Sequence, residues 1–244
     1  MSARISKARD ALINPIPPMV RHHGRDQKLC VRPEPVERPV RSGPGDGHSA
    51  SVLETLFDGC FLASHNTRLQ GGGAEPLYRP ADGDCAVHRI VYRADYFASA
   101  LHEIAHWCIA GAERRQQVDY GYWYHPDGRD RAAQHAFEAV EASPQALEWI
   151  FATAAGYSFR ISLDNLGNVL ASSPQFCHRI VVAARHYCRA GLPPRAAQFV
   201  SAVAGHYGVA APTAAERYTT TTLRVASRGG RTEAAVADRM GNGP

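Results

Sequence analysis

The chain has 244 residues, 45% of them hydrophobic and 20% charged, with a formal net charge of +4; that is enough chain for one sizeable globular domain. No stretch approaches the roughly 18 consecutive apolar residues of a membrane span, and no apolar run follows the N-terminal Arg4, Lys7 and Arg9, which excludes a transmembrane helix and argues against a secretory signal. The six cysteines (Cys30, Cys60, Cys85, Cys108, Cys177 and Cys188) form no CxxC pair, so neither a disulfide framework nor a cysteine zinc ribbon is expected, and all six are expected as free thiols.

The charge lies at the ends. Residues 1–50 carry nine Lys/Arg against five acids, and residues 224–244 carry four Arg against two, whereas residues 51–223 are slightly acidic. A basic core that would bind nucleic acid is therefore not expected. Residues 1–50 also hold seven of the 16 prolines and close on SGPGDGHS; this composition predicts a disordered basic extension. The domain is expected to span 51–210, and residues 211–244 to form a C-terminal tail, largely disordered.

Along the domain, Val52, Leu53, Leu56, Phe57, Phe61 and Leu62 recur at helical period. GGG at 71–73 is expected to break the chain. HRIVYR at 88–93 reads as a short strand. Asp95 is placed to cap a helix that runs to Gly111. VDYGYWY at 118–124 suits a strand, and Pro126-Asp-Gly128 a turn. A helix is predicted from Asp130 to about Ala142, with Ser143-Pro144 capping a second one to Gly156. Residues 158–162 read as a strand, Ser173-Pro174 opens a helix to Ala190, and a last helix runs from about Arg195 to His206. The sum is an α+β fold: one helix-rich domain with a small sheet.

The chemical signal is HEIAH at 102–106. Residues four apart share a helix face, so His102 and His106 can reach one ion. Phe97, Leu101, Ile104 and Cys108 form the main apolar stripe of this helix, and at 100° per residue the histidines point well away from it. The helix therefore reads as central and buried, its histidines turned to a cavity. A third ligand must come from a later element. Glu138 and Glu141, three apart on the next helix, can supply one metal-binding carboxylate and one supporting it. Two imidazoles and a carboxylate suit either a catalytic zinc with bound water or a non-haem iron(II) that binds O2.

The longer run HEIAHWCIAGAERRQQVDYGYWYHPDGRD (102–130), with FEAVEASPQALEW (137–149), AAGYSFRISLDNL (154–166), HNTRL (65–69) and EPLYRPA (75–81), resembles the elongation factor P hydroxylase family over about 51–209. The resemblance implies a bacterial, cytoplasmic enzyme that hydroxylates the β-lysylated lysine of elongation factor P. It implies a mononuclear metal held by His102, His106 and Glu138, with Fe(II) and O2 as cofactors. Nothing here supplies the HxD…H order of the jelly-roll oxygenases, so 2-oxoglutarate is not expected.

For that chemistry Glu103, the general base of HExxH peptidases, is expected to shuttle protons or orient a ligand. The cationic substrate tip needs an aromatic wall with acids beside it, which Tyr122, Trp123, Tyr124, Asp119, Asp127 and Glu141 offer. His178, Arg185 and Arg189 share one helix face that could receive an acidic partner. The alternative reading is an HExxH zinc metalloprotease.

Overall fold

The helical period that begins at Val52 forms α1, Ala50–His65, which buries Ala50, Leu53, Phe57 and Phe61. The computed structural model describes residues 47–118, 131–162 and 174–225. Helix α1 ends where Asn66 takes the left-handed conformation, φ 48°, and the Asn66 side-chain Nδ2 donates to the Ala86 carbonyl at 2.6 Å. Asn is one of the few residues for which this conformation costs little.

The chain turns directly into β1, Thr67–Gly73. Strand β2 is Leu77–Arg79 and β3 is His88–Arg93, as the sequence predicts. β3 lies in the middle, parallel to β1 and antiparallel to β2. The three glycines do not break the chain; they lie within β1, for a steric reason. A Cβ on Gly71 would stand 2.7 Å from the Tyr92 hydroxyl, and one on Gly73 2.7 Å from a Val91 methyl, while Gly72 sits at φ +92°. Glycine lets this end of β1 close on β3. Two acids of α1 fasten the helix to the sheet. Glu54 accepts from the Gly71 amide at 2.8 Å and from the Tyr92 hydroxyl at 2.9 Å. Asp58 pairs with Arg68 at 3.2 Å.

Helix α2 is Phe97–Ile109, preceded by Tyr96 at the cap position with no side-chain capping bond. The cap thus falls one residue after Asp95. Its buried residues are Phe97, Ala100, Leu101, Ile104, Ala105, Trp107 and Cys108, the apolar stripe expected for a central helix. A 3-10 turn follows at Arg114–Gln116. The predicted strand and turn over 118–128 lie outside the described residues, save Val118.

Helix α3 runs unbroken over Arg131–Ala154 with Pro144 inside it, where the sequence reading expects two helices. Proline forfeits one hydrogen bond to the carbonyl four residues back. That carbonyl belongs to Val140, an exposed residue, where water can replace the lost donor. Burial on both sides of Pro144, by Phe137 before it and Leu147, Ile150 and Phe151 after it, favours one continuous element over two.

Helices α4, Pro174–Ala190, and α5, Pro194–Tyr207, follow the predicted bounds closely. Strand β4 is only Arg160–Ile161 and pairs in parallel with β5, Arg224–Val225. The core joins α1, α2, α3 and α5 through aromatic contacts. Phe57 and Phe61 pack on Trp107 at 5.1 and 4.8 Å, and Phe151 meets Phe199 at 5.1 Å. Each such ring, once buried, accounts for roughly 3–5 kcal/mol on truncation to alanine.

Structure continues past residue 210. Tyr218 is fully buried, stands edge-on to Trp149 at 4.9 Å and donates its hydroxyl to the Pro212 carbonyl. All described residues belong to one compact unit, an α+β fold. None of their helices is long and apolar enough to cross a membrane. Cys60, Cys108, Cys177 and Cys188 form no disulfide, but Cys85 is disulfide-bonded, against the expectation of six free thiols. Spacing along the chain does not reveal which cysteines a fold brings together.

Candidate metal centre

Helices α2 and α3 pack face to face, and each presents polar side chains to the other at one level. From α2 come His102 and His106, whose rings stand 4.7 Å apart with their Nε2 atoms at 3.1 Å. From α3 comes Glu141, with Oε1 3.4 Å from His106 Nε2 and Oε2 3.6 Å from His102 Nε2. One donor atom from each of the three residues fits within a 4.8 Å group that could hold a metal ion. The side chains are only 14%, 17% and 4% exposed for His102, His106 and Glu141.

The carboxylate that stands with the imidazoles is Glu141, not Glu138. Three residues along a helix amount to a 60° difference in direction and about 4.5 Å along the axis. That places Glu138 one turn away, where it is also buried and accepts from Gln134 at 3.5 Å.

A further carboxylate, which the sequence reading did not single out, completes the cluster. The Nδ1–H of His102 donates to Glu148 Oε2 at 2.8 Å. Holding the proton on Nδ1 leaves the Nε2 lone pair facing His106 and Glu141. Gln145 lies between them on the same face. Its amide nitrogen donates to the Ser162 carbonyl at 2.8 Å and its oxygen accepts from the Ser162 amide at 3.3 Å, which ties α3 to the end of β4. Residues 138, 141, 145 and 148 recur at helical spacing and are all buried. An unbroken α3 makes them one polar stripe; the break expected at Pro144 hid that register.

The electrostatics follow from burial and mutual proximity. Burial alone would raise the Glu141 pKa, but the two histidines and the Gln145 amide overcome it and hold the carboxyl at about 2. Burial alone would lower the His102 pKa, but the Glu148 hydrogen bond and the charges of Glu148, Glu141 and Glu103 bring it well above the ordinary value. Glu148 is raised by burial, against the pull of His102.

The donor set fits a divalent cation. Glu141 Oε2 is buried with no hydrogen-bond partner, a costly condition for a carboxylate oxygen that a bound cation relieves. Two nitrogens and a carboxylate oxygen suit zinc or iron(II) and leave coordination positions open.

Glu103 follows His102 on α2 and is half-buried. Asp119, Tyr122, Trp123, Tyr124 and Asp127 lie outside the described residues. On α4, His178 and Arg189 are exposed and Arg185 half-buried.

A model of the elongation factor P hydroxylase family matches residues 56–218 of the chain. The chain is 43% identical over 160 residues to the elongation factor P lysine hydroxylase of Haemophilus influenzae, an alignment that spans 66% of this chain and 90% of that protein. Both matches name a hydroxylase, which disfavours the peptidase alternative for an HExxH helix.

Proposed function

The chain belongs to the elongation factor P hydroxylase family, and from that premise we propose that it hydroxylates the β-lysylated lysine of elongation factor P, using iron(II) and O2 at a centre held by His102, His106 and Glu141. The observation that carries the metal assignment is the orphaned Oε2 of Glu141, 3.6 Å from the Nε2 of His102. Iron with O2, bound there, would supply the oxidising power that an unactivated C–H bond demands. 2-Oxoglutarate forms no part of the proposal.

The protein's own groups have separate tasks. Glu148 fixes the tautomer and ring plane of His102 through its 2.8 Å hydrogen bond. Gln145 ties this stretch of α3 to Ser162. Leu101 and Ile104, fully buried on the face of α2 turned away from the histidines, anchor the helix in the core and so hold the histidine face in place. Glu103 is assigned to hold or pass a proton beside His102. Tyr122, Trp123 and Tyr124 are assigned to wall the channel for the substrate side chain, and Asp119 or Asp127 to meet its ammonium group, since an unpaired cation entering a partly desolvated pocket is costly. The setting is cytoplasmic and the partner is elongation factor P itself, with no membrane or nucleic acid involved.

The test is a mass measurement on β-lysylated elongation factor P after incubation with the chain, iron(II) and O2. A gain of one oxygen atom that His106→Ala abolishes supports the reading; an unchanged mass under aerobic, iron-loaded conditions overturns it.

A further inference from the structure

Helix α2 carries both histidines, and its C-terminal turn, which contains His106, ends on carbonyls that have no partner within the helix. His106 supplies its own carbonyl to the Ala110 amide at 3.0 Å. The next carbonyls are taken by a residue 85 to 88 positions away. Arg195 Nη2 donates to the carbonyls of Trp107 at 2.9 Å, Cys108 at 3.0 Å and Ala110 at 2.7 Å. The same guanidinium lies over the Trp107 ring, 4.7 Å from its centroid. Arg115 adds a second guanidinium contact, from Nη1 to the Ala110 carbonyl at 2.7 Å.

Arg195 stands in the first turn of α5, Pro194–Tyr207. A cation there faces the positive end of its own helix dipole, which is locally unfavourable. The same charge is favourable at the C-terminus of α2, where the dipole is negative. Local preference thus argues against an arginine at this position, and its contacts with α2 argue for it. A planar guanidinium can use its edge on carbonyls and its face on an indole at the same time; an ammonium cannot.

We propose that Arg195 is a positioning residue for the metal centre: it locks the last turn of α2 to α5 and so fixes His106 against His102 and Glu141. The proposal rests on the metal reading above. It predicts that metal affinity depends on a group that touches no ligand.

The experiment titrates Co(II) into the wild-type chain and into Arg195→Met, Arg195→Lys, Val200→Ala and His106→Ala, following the visible Co(II) absorption at a temperature where each is folded. Val200 is a buried residue on α5 and serves as a stability control that leaves the α2 carbonyls alone. Arg195→Met and Arg195→Lys are expected to weaken the Co(II) dissociation constant about tenfold or more, in the range seen for groups that orient ligands, and to alter the absorption bands. Val200→Ala is expected to lower the Tm while keeping wild-type affinity and bands.

Wild-type affinity and bands in both Arg195 variants would overturn the positioning role. So would an equal loss of affinity in Val200→Ala, or failure of both Arg195 variants to fold, since each makes the residue merely structural. Failure of the metal reading looks different: the wild-type chain itself would take up no more Co(II) than His106→Ala.

Discussion

The Nδ1–H of His102 donates to Glu148 Oε2 at 2.8 Å, across a gap of 46 residues and between two helices, with Glu148 only 5% exposed. This pairing aims the other nitrogen of the ring at His106 and Glu141. It separates the roles of two of the three buried carboxylates on α3: Glu141 faces the space between the imidazoles, and Glu148 backs one of them.

Ligand identity is the first consequence to test. His102→Ala, His106→Ala and Glu141→Ala should each lose bound metal and hydroxylation while keeping their far-ultraviolet circular dichroism. Glu138→Ala should retain most of its metal. Metal analysis of the four purified variants reads the outcome; full occupancy in Glu141→Ala would be incompatible with the assignment.

Removal of the Glu148 side chain should weaken metal affinity by roughly 10–100-fold, the usual cost of losing a partner that orients a histidine ligand. Glu148→Gln keeps an oxygen able to accept from Nδ1–H and should fall between wild type and Glu148→Ala. A competition titration against a chromogenic chelator gives the three constants. Equal affinity in all three would show that His102 needs no such support.

Metal binding should tighten as pH rises. The metal needs a neutral imidazole, whereas Glu148 and the neighbouring carboxylates favour the charged one and raise the His102 pKa well above its ordinary value. The proton must leave, so the apparent Kd falls as pH climbs toward that raised pKa. Glu141, held at about 2, is ionised throughout the neutral range and adds no step there. Proton release on metal binding, measured by calorimetry in two buffers of different ionisation enthalpy, should be positive at pH 7.

The folded unit should extend through Tyr218. Its ring is fully buried against Trp149, so Tyr218→Ala should cost about 3–5 kcal/mol, as for other buried aromatics. A chain truncated after residue 212 should be destabilised at least as much. Urea unfolding of both, beside the full-length protein, makes the comparison, and an unchanged midpoint would place the end of the domain earlier.

Substrate capture is expected to depend on charge near the aromatic run. Asp119→Asn or Asp127→Asn should raise the KM for the modified factor about tenfold, in line with loss of a contact between charged groups, with metal content unchanged. Steady-state kinetics with both variants decide it; wild-type KM values in both would direct attention to other acids.

The parts of this protein that the sequence determines by itself are those with a short period. HEIAH at 102–106 places two imidazoles on one face of any helix it forms, and the apolar positions around it bury the opposite face. The strand at His88–Arg93 and the helices α1, α2, α4 and α5 emerge at nearly their predicted bounds, because amphipathic period and stop residues are local properties. The motifs that resemble the hydroxylase family are likewise written in the chain, and the family match follows them.

Tertiary structure decided whatever depends on contact between distant residues. β1 ends in three glycines and β2 spans only three residues, so neither declares itself, and both exist because β3 lies between them. Pro144 reads as a break, yet α3 crosses it because burial on both sides outweighs one lost hydrogen bond. The choice of Glu141 over Glu138 rests on how α3 is rotated against α2, a 60° difference that spacing within α3 leaves open. The contacts of Glu148 and Arg195 with α2, from elements that sequence reading has no means of docking on it, rest on the same cause: they are set by packing, and packing is a property of the whole chain.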